Sequence, residues 1–232
     1  MALRDDLESD VATIFRSKWS TIDKATIPVA TDLALGNDAG HFSKMTVLYA
    51  DLNGSTSMVD NESWAFSAEV YKAYLHCAAK IIKDEGGTIT AYDGDRVMAV
   101  FIGKYKNTIA VRCALKINSA VIDIVNPKLK EIYSSKEFVV RHTIGVDTSE
   151  IHVARIGVRN DNDLVWVGRA ANHAAKLTAI PDLKYPIWIS ADVYNSMNDE
   201  AKISAGVNMW VKRKWTQMND AEIYCSSYKW KV

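Results

Sequence analysis

Apolar positions along the chain follow first a helical spacing and then strand-like runs. Residues 4–19 place apolar side chains on one face and predict an amphipathic helix. The following stretch, 26–41, contains the breakers Pro28, Gly36 and Gly40 and predicts irregular backbone. We therefore expect an N-terminal helical arm over residues 1–43 and a main domain over residues 44–232.

The main domain opens with Met45–Leu52, an apolar and β-prone run that predicts a central strand. Helices are predicted over residues 64–84, 107–125 and 170–179, with the second ending before Pro127. Two hairpins are predicted, Thr88–Tyr92 with Arg96–Phe101 and Val139–Asp147 with Ile151–Gly157. The remaining predicted strands are Leu164–Val167 and short strands near Trp188–Ser190, Met209–Lys212 and Glu222–Tyr228. The order βαββαβ with smaller C-terminal elements predicts an α+β protein with a ferredoxin-like core, in which two helices cover one face of an antiparallel sheet.

Charge and composition exclude several classes of partner. Lysine plus arginine and aspartate plus glutamate are both 28, and this balance argues against a large nucleic-acid-binding surface. The polar N-terminus lacks the pattern of a signal peptide, and no apolar run approaches the ~20 residues of a membrane span. The three cysteines include no C-x-x-C pair, as is typical of free thiols in a reducing compartment. We expect a cytoplasmic protein without a membrane partner.

Two aspartates lie where the predicted sheet would bring them together. Asp51 ends the first strand, and Asp95 follows the tight Asp93-Gly94 turn of the first hairpin, next to that strand in a ferredoxin-like sheet. Two carboxylates at one sheet edge repel unless a cation lies between them, and hard oxygen ligands suit Mg²⁺ or Mn²⁺. Asp93 is the alternative to Asp95, although its position favours a role as the first turn residue.

Three segments resemble the motifs of class III adenylyl and guanylyl cyclases: YADLNGST at 49–56, AYDGDRVMAVF at 91–101 and VWVGRAANHAAKL at 165–177. The resemblance covers about residues 44 to 230. It implies two divalent metal ions (Mn²⁺ or Mg²⁺) held by Asp51, Asp95 and the backbone carbonyl of Leu52. It also implies that Asn172 orients the ribose. Lys176 would stabilise charge on the α-phosphate, at a position where the family usually has arginine.

The resemblance has consequences for the triphosphate and for assembly. Arg159 resembles a triphosphate-binding position, and either Lys212 or Lys214 would contact the terminal phosphates; the sequence does not choose between them. In the family each active site is assembled between two catalytic domains packed head to tail. This chain carries both sets of residues, so the resemblance implies a homodimer with two shared active sites.

The positions that read the base depart from the purine cyclases. Ala91 and Val165 stand where those enzymes carry polar side chains, and neither can hydrogen-bond a base edge. This pattern resembles the pyrimidine cyclases of bacterial anti-phage defence, the Pycsar systems, whose cyclic nucleotide activates a separate effector. Tyr49, in place of the usual phenylalanine, is a candidate for shaping a smaller base pocket. We expect conversion of UTP to cyclic UMP. The alternatives are a cytidylate cyclase, an adenylyl or guanylyl cyclase, and an inactive nucleotide-binding module.

Overall fold

The computed structural model describes residues 2–232. The helices are α1 Leu3–Arg16, α2 Ser55–Asn61, α3 Trp64–Asp84, α4 Lys106–Ala120, α5 Asn126–Ile132, α6 Arg169–Thr178 and α7 Ala191–Ser196. The strands are β1 Ser20–Asp23, β2 Asp38–Leu52, β3 Thr88–Asp93, β4 Arg96–Phe101, β5 His142–Val158, β6 Asp161–Val167, β7 Ile187–Ser190, β8 Ile203–Ser204, β9 Val207–Asn208, β10 Val211–Trp215 and β11 Ala221–Ser226. Within the described chain, no helix is long and apolar enough to cross a membrane.

The chain divides into two compact units. The smaller one comprises the N-terminal residues up to Ser43 together with Ile151–Val167. In it β1 pairs in parallel with the start of β2, and the second half of β5 pairs antiparallel with β6. None of the residues of α1 is buried, so its apolar stripe is exposed.

The larger unit comprises Lys44–Glu150 and Gly168–Val232. Its strands follow the order β10-β11-β7-β5-β2-β4-β3. The four strands β5-β2-β4-β3, with α3 and α4 between them in sequence, have the predicted βαββαβ connectivity, so the α+β ferredoxin-like core is confirmed. Beyond it β7 pairs in parallel with β5, and β11 and β10 extend the sheet in antiparallel fashion.

The core of the larger unit determines which side chains remain for chemistry. Leu48, Ala50 and Leu52 of β2 are buried in one apolar cluster with residues of α3 and α4. Because successive side chains of a strand point to opposite faces, Tyr49 and Asp51 project from the other face of the sheet. The apolar alternation of β2 therefore places Asp51 at the end of a buried strand with its carboxylate away from the helical layer.

One predicted hairpin is wrong. Residues 139–157 were expected to form two strands joined by a turn, but the structure has one continuous strand, β5, which turns only at Arg159-Asn160 to meet β6. Asn160 has a φ of +70°, a left-handed conformation that asparagine tolerates better than most residues. The segment after Asp147 lacks such a residue, and Asp147 is instead held in the extended strand by tertiary contacts.

The helix predicted over residues 107–125 continues past Pro127. A π-helical turn, Val121–Val125, joins α4 to α5, which begins at Asn126. The proline lies in the first turn of α5, where its missing N–H is best tolerated, and the wider turn before it accommodates the ring.

Candidate active site

The two predicted carboxylates lie at one end of the sheet. Asp51 of β2 is opposite Arg96, the first residue of β4, and Arg96 is in turn opposite Asp93 of β3. Asp95 occupies the turn between β3 and β4, which is made possible by a φ of +61° at Gly94. The hairpin therefore brings the Asp95 carboxylate close enough for its charge to act on Asp51.

The electrostatics of this pair are unfavourable within the chain itself. Burial and the charge of Asp95 raise the pKa of Asp51 from 3.8 to about 6, although Arg96 and a hydrogen bond from Thr178 act in the opposite direction. The Thr178 hydroxyl lies 3.4 Å from Asp51 Oδ2, a long contact for which its single proton is shared with the Ala175 carbonyl at 2.7 Å. Asp95 Oδ2 is buried and has no hydrogen-bond partner among residues 2–232. A buried carboxylate oxygen without a donor is costly and needs a positive charge from elsewhere.

Asp93, the alternative carboxylate of the hairpin, has a different environment. It is exposed, and it forms an ion pair with Arg96 over 2.5 Å. Its charge is therefore balanced within the hairpin, whereas that of Asp95 is not.

The donor set fits a hard divalent cation. Asp51 and Asp95 offer oxygen ligands whose mutual repulsion such a cation would remove. Leu52 is the last residue of β2 and follows Asp51 directly. Because its side chain is buried in the core, only its backbone carbonyl is available as a ligand at this end of the sheet. These residues are therefore suited to hold Mg²⁺ or Mn²⁺.

A buried tyrosine under the carboxylates was missed by the sequence analysis. Tyr74 of α3 is fully buried, and burial followed by the charges of Asp51 and Asp95 raises its pKa well above the usual value. Its hydroxyl has no hydrogen-bond partner in the described chain, and its ring lies 5.9 Å from that of His142. Helical periodicity identifies Tyr74 only as a core position, because nothing local to it shows that the carboxylates lie above.

The face that carries Asp51 also carries a cation and an aromatic ring. Tyr49, Met98 and Ala91 form one cross-strand row over β2, β4 and β3. The Arg96 guanidinium lies 5.5 Å from the centre of the Tyr49 ring, and its Nε is buried without a hydrogen-bond partner in the described residues. Sequence analysis missed Arg96, although strand alternation from Met98 places it on this face.

Asn172 and Lys176 lie four residues apart on α6, and both are exposed. Successive helix residues are about 100° apart, so these two share one face while Thr178, which contacts Asp51, projects about 160° away from Lys176. The Lys176 ammonium lies 4.0 Å from the Met218 sulfur. The side of α6 that contacts Asp51 is therefore not the side that carries Asn172 and Lys176.

The remaining predicted residues lie elsewhere. Lys212 forms an ion pair with Glu222, while Lys214 is exposed and has no ion pair within residues 2–232. Between them Arg213 projects from the other face of β10, where its guanidinium lies 5.3 Å over the Tyr185 ring.

Two predicted residues belong to the smaller compact unit. Arg159 is at the tip of the β5–β6 hairpin, and Val165 lies on the exposed face of β6. Both side chains are exposed, and the Val165 backbone pairs with Ala154.

Comparison with known proteins agrees with this architecture. The fold is that of a class III cyclase catalytic domain: the crystal structure of the guanylyl cyclase Cya2 matches with a TM-score of 0.68 at 22% identity, over 82% of this chain and 94% of that chain. No protein-family profile matches the sequence. The uridylate cyclase of Burkholderia cepacia is 53% identical and that of Xanthomonas perforans 48% identical, each over the full length of both chains. The chain belongs to the uridylate cyclase family.

Proposed function

We propose that this protein converts UTP into 3′,5′-cyclic UMP and pyrophosphate. The observation that carries the proposal is the pair Asp51 and Asp95 at the end of the sheet: Arg96 offsets their repulsion only in part, and Asp95 Oδ2 has no hydrogen-bond partner in the described residues. Full-length likeness to two proteins named uridylate cyclase supports the choice of substrate. Pyrimidine nucleotide cyclisation is then a lyase reaction in which the ribose 3′-hydroxyl attacks the α-phosphate.

Two divalent ions, Mn²⁺ or Mg²⁺, are part of this proposal. Asp51, Asp95 and the Leu52 carbonyl would hold them, and when bound they would acidify the 3′-hydroxyl and neutralise charge on the triphosphate. The chain contributes the ligands and their orientation. Thr178 hydrogen-bonds Asp51, and Asp95 is fixed by the tight turn of the β3–β4 hairpin.

The exposed face of α6 supports a homodimer with shared active sites. Since Thr178 contacts Asp51 in its own chain, Asn172 and Lys176 project away from that carboxylate and are available to a second copy. In that copy's site Asn172 would orient the ribose and Lys176 would stabilise charge developing on the α-phosphate. A lysine provides the charge without the planar fork of an arginine.

Other cations complete the proposed triphosphate site. Arg159, exposed at a hairpin tip, would contact the triphosphate. Of the two lysines that the sequence leaves open, Lys214 is the better candidate, because Lys212 is already paired with Glu222.

We propose that the base lies against the sheet face that carries Tyr49, Ala91 and Arg96, and that Arg96 favours UTP over CTP. Arg96 can only donate hydrogen bonds, and its Nε is without a partner in the described chain. In this proposal Arg96 meets the 4-position of the base, where uracil presents the acceptor O4 and cytosine presents an amino donor, so a guanidinium at that position favours uracil. Tyr49 would pack on the base, while Ala91 and Val165 offer no side-chain group that reads a purine.

The proposed biological role is signal synthesis in bacterial anti-phage defence, in the cytoplasm, with cyclic UMP acting on a separate effector. It rests on the resemblance of the motifs to pyrimidine cyclases of such systems. Cells carrying the protein and its effector should resist phage, and Asp51→Asn should abolish that resistance. Equal plaque counts for the wild type and the variant would contradict the role.

The substrate is tested by incubating the purified protein with ATP, GTP, CTP and UTP plus Mn²⁺ and identifying products by mass spectrometry. We expect cyclic UMP from wild type and none from Asp51→Asn. Arg96→Gln should lose the preference for UTP over CTP, whereas Arg4→Gln, which removes an exposed arginine paired only with Glu8, should keep it. A cyclic purine would overturn the base argument, and no product from any triphosphate would indicate a binding module.

Shared active sites are tested by mixing two inactive variants, Asp51→Asn and Asn172→Ala. A mixed dimer has one site with both defects and one site with none. Equimolar mixing should restore about a quarter of wild-type activity, because half of the dimers are mixed and each has one intact site. A mixture as inactive as its components would contradict the dimer proposal.

A further inference from the structure

The larger unit contains a fully buried carboxylate, Asp147, far from Asp51 and Asp95 in the sequence. Asp147 lies on β5 and is fully buried. Arg169 donates to it from Nε over 3.2 Å and from Nη2 over 3.3 Å, and the Thr148 amide donates to Oδ1 over 2.8 Å. His173 Nδ1 lies 3.4 Å from Oδ2. Arg169 and His173 are both residues of α6, one helical turn apart.

Two neighbours of Asp147 on the same face of β5 also contact α6. The hydroxyl of Ser149 accepts a hydrogen bond from the Ala170 amide over 2.9 Å, at the first turn of α6. At Gly145 a Cβ would lie 2.1 Å from the Ala174 carbonyl, so only glycine permits this approach of helix to strand. Alternate residues of a strand share a face. Gly145, Asp147 and Ser149 therefore form one continuous contact surface against which α6 packs.

This contact surface determines the orientation of α6 about its own axis. Arg169 and His173 bracket Asn172 in sequence, and Asn172 with Lys176 forms the adjacent exposed stripe. Arg169 Nη2 also donates to the Thr148 carbonyl over 2.8 Å. The His173 ring packs edge-on against Trp215, with ring centres 5.4 Å apart. A rotation of α6 would break these contacts together.

We infer that Asp147 is a positioning residue for catalysis, which fixes α6 through Arg169 and His173 so that Asn172 and Lys176 face the active site of the second copy. The inference rests on the proposed shared-site function. It assigns Asp147 to the half of the site that carries Asn172, and not to the half that carries Asp51. A merely structural role would affect both halves through global unfolding.

The kinetic test uses Asp147→Asn, which keeps the size of the side chain and removes its charge. Misplacing a catalytic group by about 1 Å costs on the order of 100-fold in rate, so we expect kcat to fall by about that factor. KM for UTP should change little, because the groups that α6 presents act mainly on the transition state. Asp192→Asn is the matched control: it removes the exposed partner of Arg169, leaves Asp147 in place and should retain activity.

The localising test is complementation. Asp147→Asn mixed with Asp51→Asn should recover activity, because one site then takes its carboxylates from the first variant and an intact α6 from the second. Asp147→Asn mixed with Asn172→Ala should recover none beyond the residual rate, since both defects affect the same half. Recovery in this second mixture, or a fall in kcat for Asp192→Asn equal to that for Asp147→Asn, would overturn the inference.

The outcomes separate the inference from the proposed function. If Asp51→Asn and Asn172→Ala fail to complement each other, the shared-site function fails and the inference fails with it. If they complement and Asp147→Asn behaves otherwise than stated, only the inference fails. Should Asp147→Asn not fold, as judged by circular dichroism, Arg169→Lys takes its place in both mixtures with the same expected results, because it keeps a charge but loses the two-point contact.

Discussion

Two regions of the larger unit, one around Asp147 and one around Asp51 and Asp95, hold acidic side chains wholly or partly removed from water, and they differ in what the chain supplies to them. Around Asp147 the chain provides an arginine, a histidine and a backbone amide. Around Asp51 and Asp95 it provides one long hydrogen bond to Asp51 and the nearby charge of Arg96, which is already paired with Asp93, and Asp95 Oδ2 has no hydrogen-bond partner among residues 2–232. Aspartates of the larger unit thus have several hydrogen-bond and ion-pair partners in one region and few in the other.

The difference separates a completed structural contact from a binding site. A buried ion pair whose hydrogen bonds are satisfied holds its elements in one arrangement, and removing one partner is costly. A half-buried carboxylate pair with only partial compensation destabilises the chain unless a ligand balances it, and such conflicts concentrate at functional sites. The hydrogen-bond and ion-pair partners of each carboxylate, rather than its burial alone, distinguish the two regions.

The largest expected effect comes from Asp95→Asn. Loss of one proposed metal ligand should lower the rate of cyclic UMP formation roughly a thousandfold, which corresponds to about 4 kcal/mol of transition-state stabilisation. Because the substitution also removes an uncompensated charge, stability in the absence of metal should stay equal or rise. The two measurements are product formation with Mn²⁺ and urea unfolding with a chelator present.

Asp93→Asn is the control for this substitution, because Asp93 lies on the same hairpin but is exposed and paired with Arg96. Its activity should stay within about threefold of wild type, as expected for an exposed ion pair of little energetic value. If Asp93→Asn were the more damaging change, the assignment of the hairpin carboxylates would be reversed.

The second effect is on stability and has the opposite sign. Asp147→Asn should lower the free energy of unfolding by about 2 kcal/mol, because Arg169 loses its buried partner but stays partly exposed and keeps its contacts with the Thr148 carbonyl and Asp192. Urea unfolding of the metal-free protein measures it. Asp192→Asn should lose less than about 1 kcal/mol, since that pair is largely exposed. Equal losses for Asp147→Asn and Asp95→Asn would erase the contrast between the two regions.

Sequence patterns predicted the order of elements where a local signal was strong. The apolar run before Asp51, the periodicity of residues 64–84 and the Asp93-Gly94 turn each specified an element that the structure contains. The prediction failed after Asp147, where a turn was expected. The contact that keeps this segment extended comes from Arg169, which lies 22 positions further along the chain, and no local pattern reports it.

The residues of the candidate site were likewise predictable only where a local sequence signal was strong. Asp51 and Asp95 could be found because each follows a recognisable strand or turn. Tyr74 could not, because its proximity to the carboxylates arises only in the folded chain. Strand alternation indicates the face on which Arg96 lies, but not its position over the Tyr49 ring. The choice between Lys212 and Lys214 likewise required Glu222, a residue of the neighbouring strand.

The smallest expected effect is a pH dependence that Asp51 adds to the metal-free protein. Its pKa is raised in the folded state from 3.8 to about 6, so the stability it contributes is present below pH 3.8 and is lost as the pH rises through 6. The full difference would be worth about 3 kcal/mol, and partial exposure of the carboxylate reduces this to about 1–2 kcal/mol. Relative to wild type, Asp51→Asn should therefore gain stability between pH 4 and pH 7 in urea unfolding with a chelator. Saturating Mn²⁺ should reverse the order at pH 7, because the cation binds the ionised wild-type carboxylate and not the amide. Parallel pH profiles for the two proteins without metal would show that Asp51 is balanced within the chain after all, and the contrast with Asp147 would then disappear.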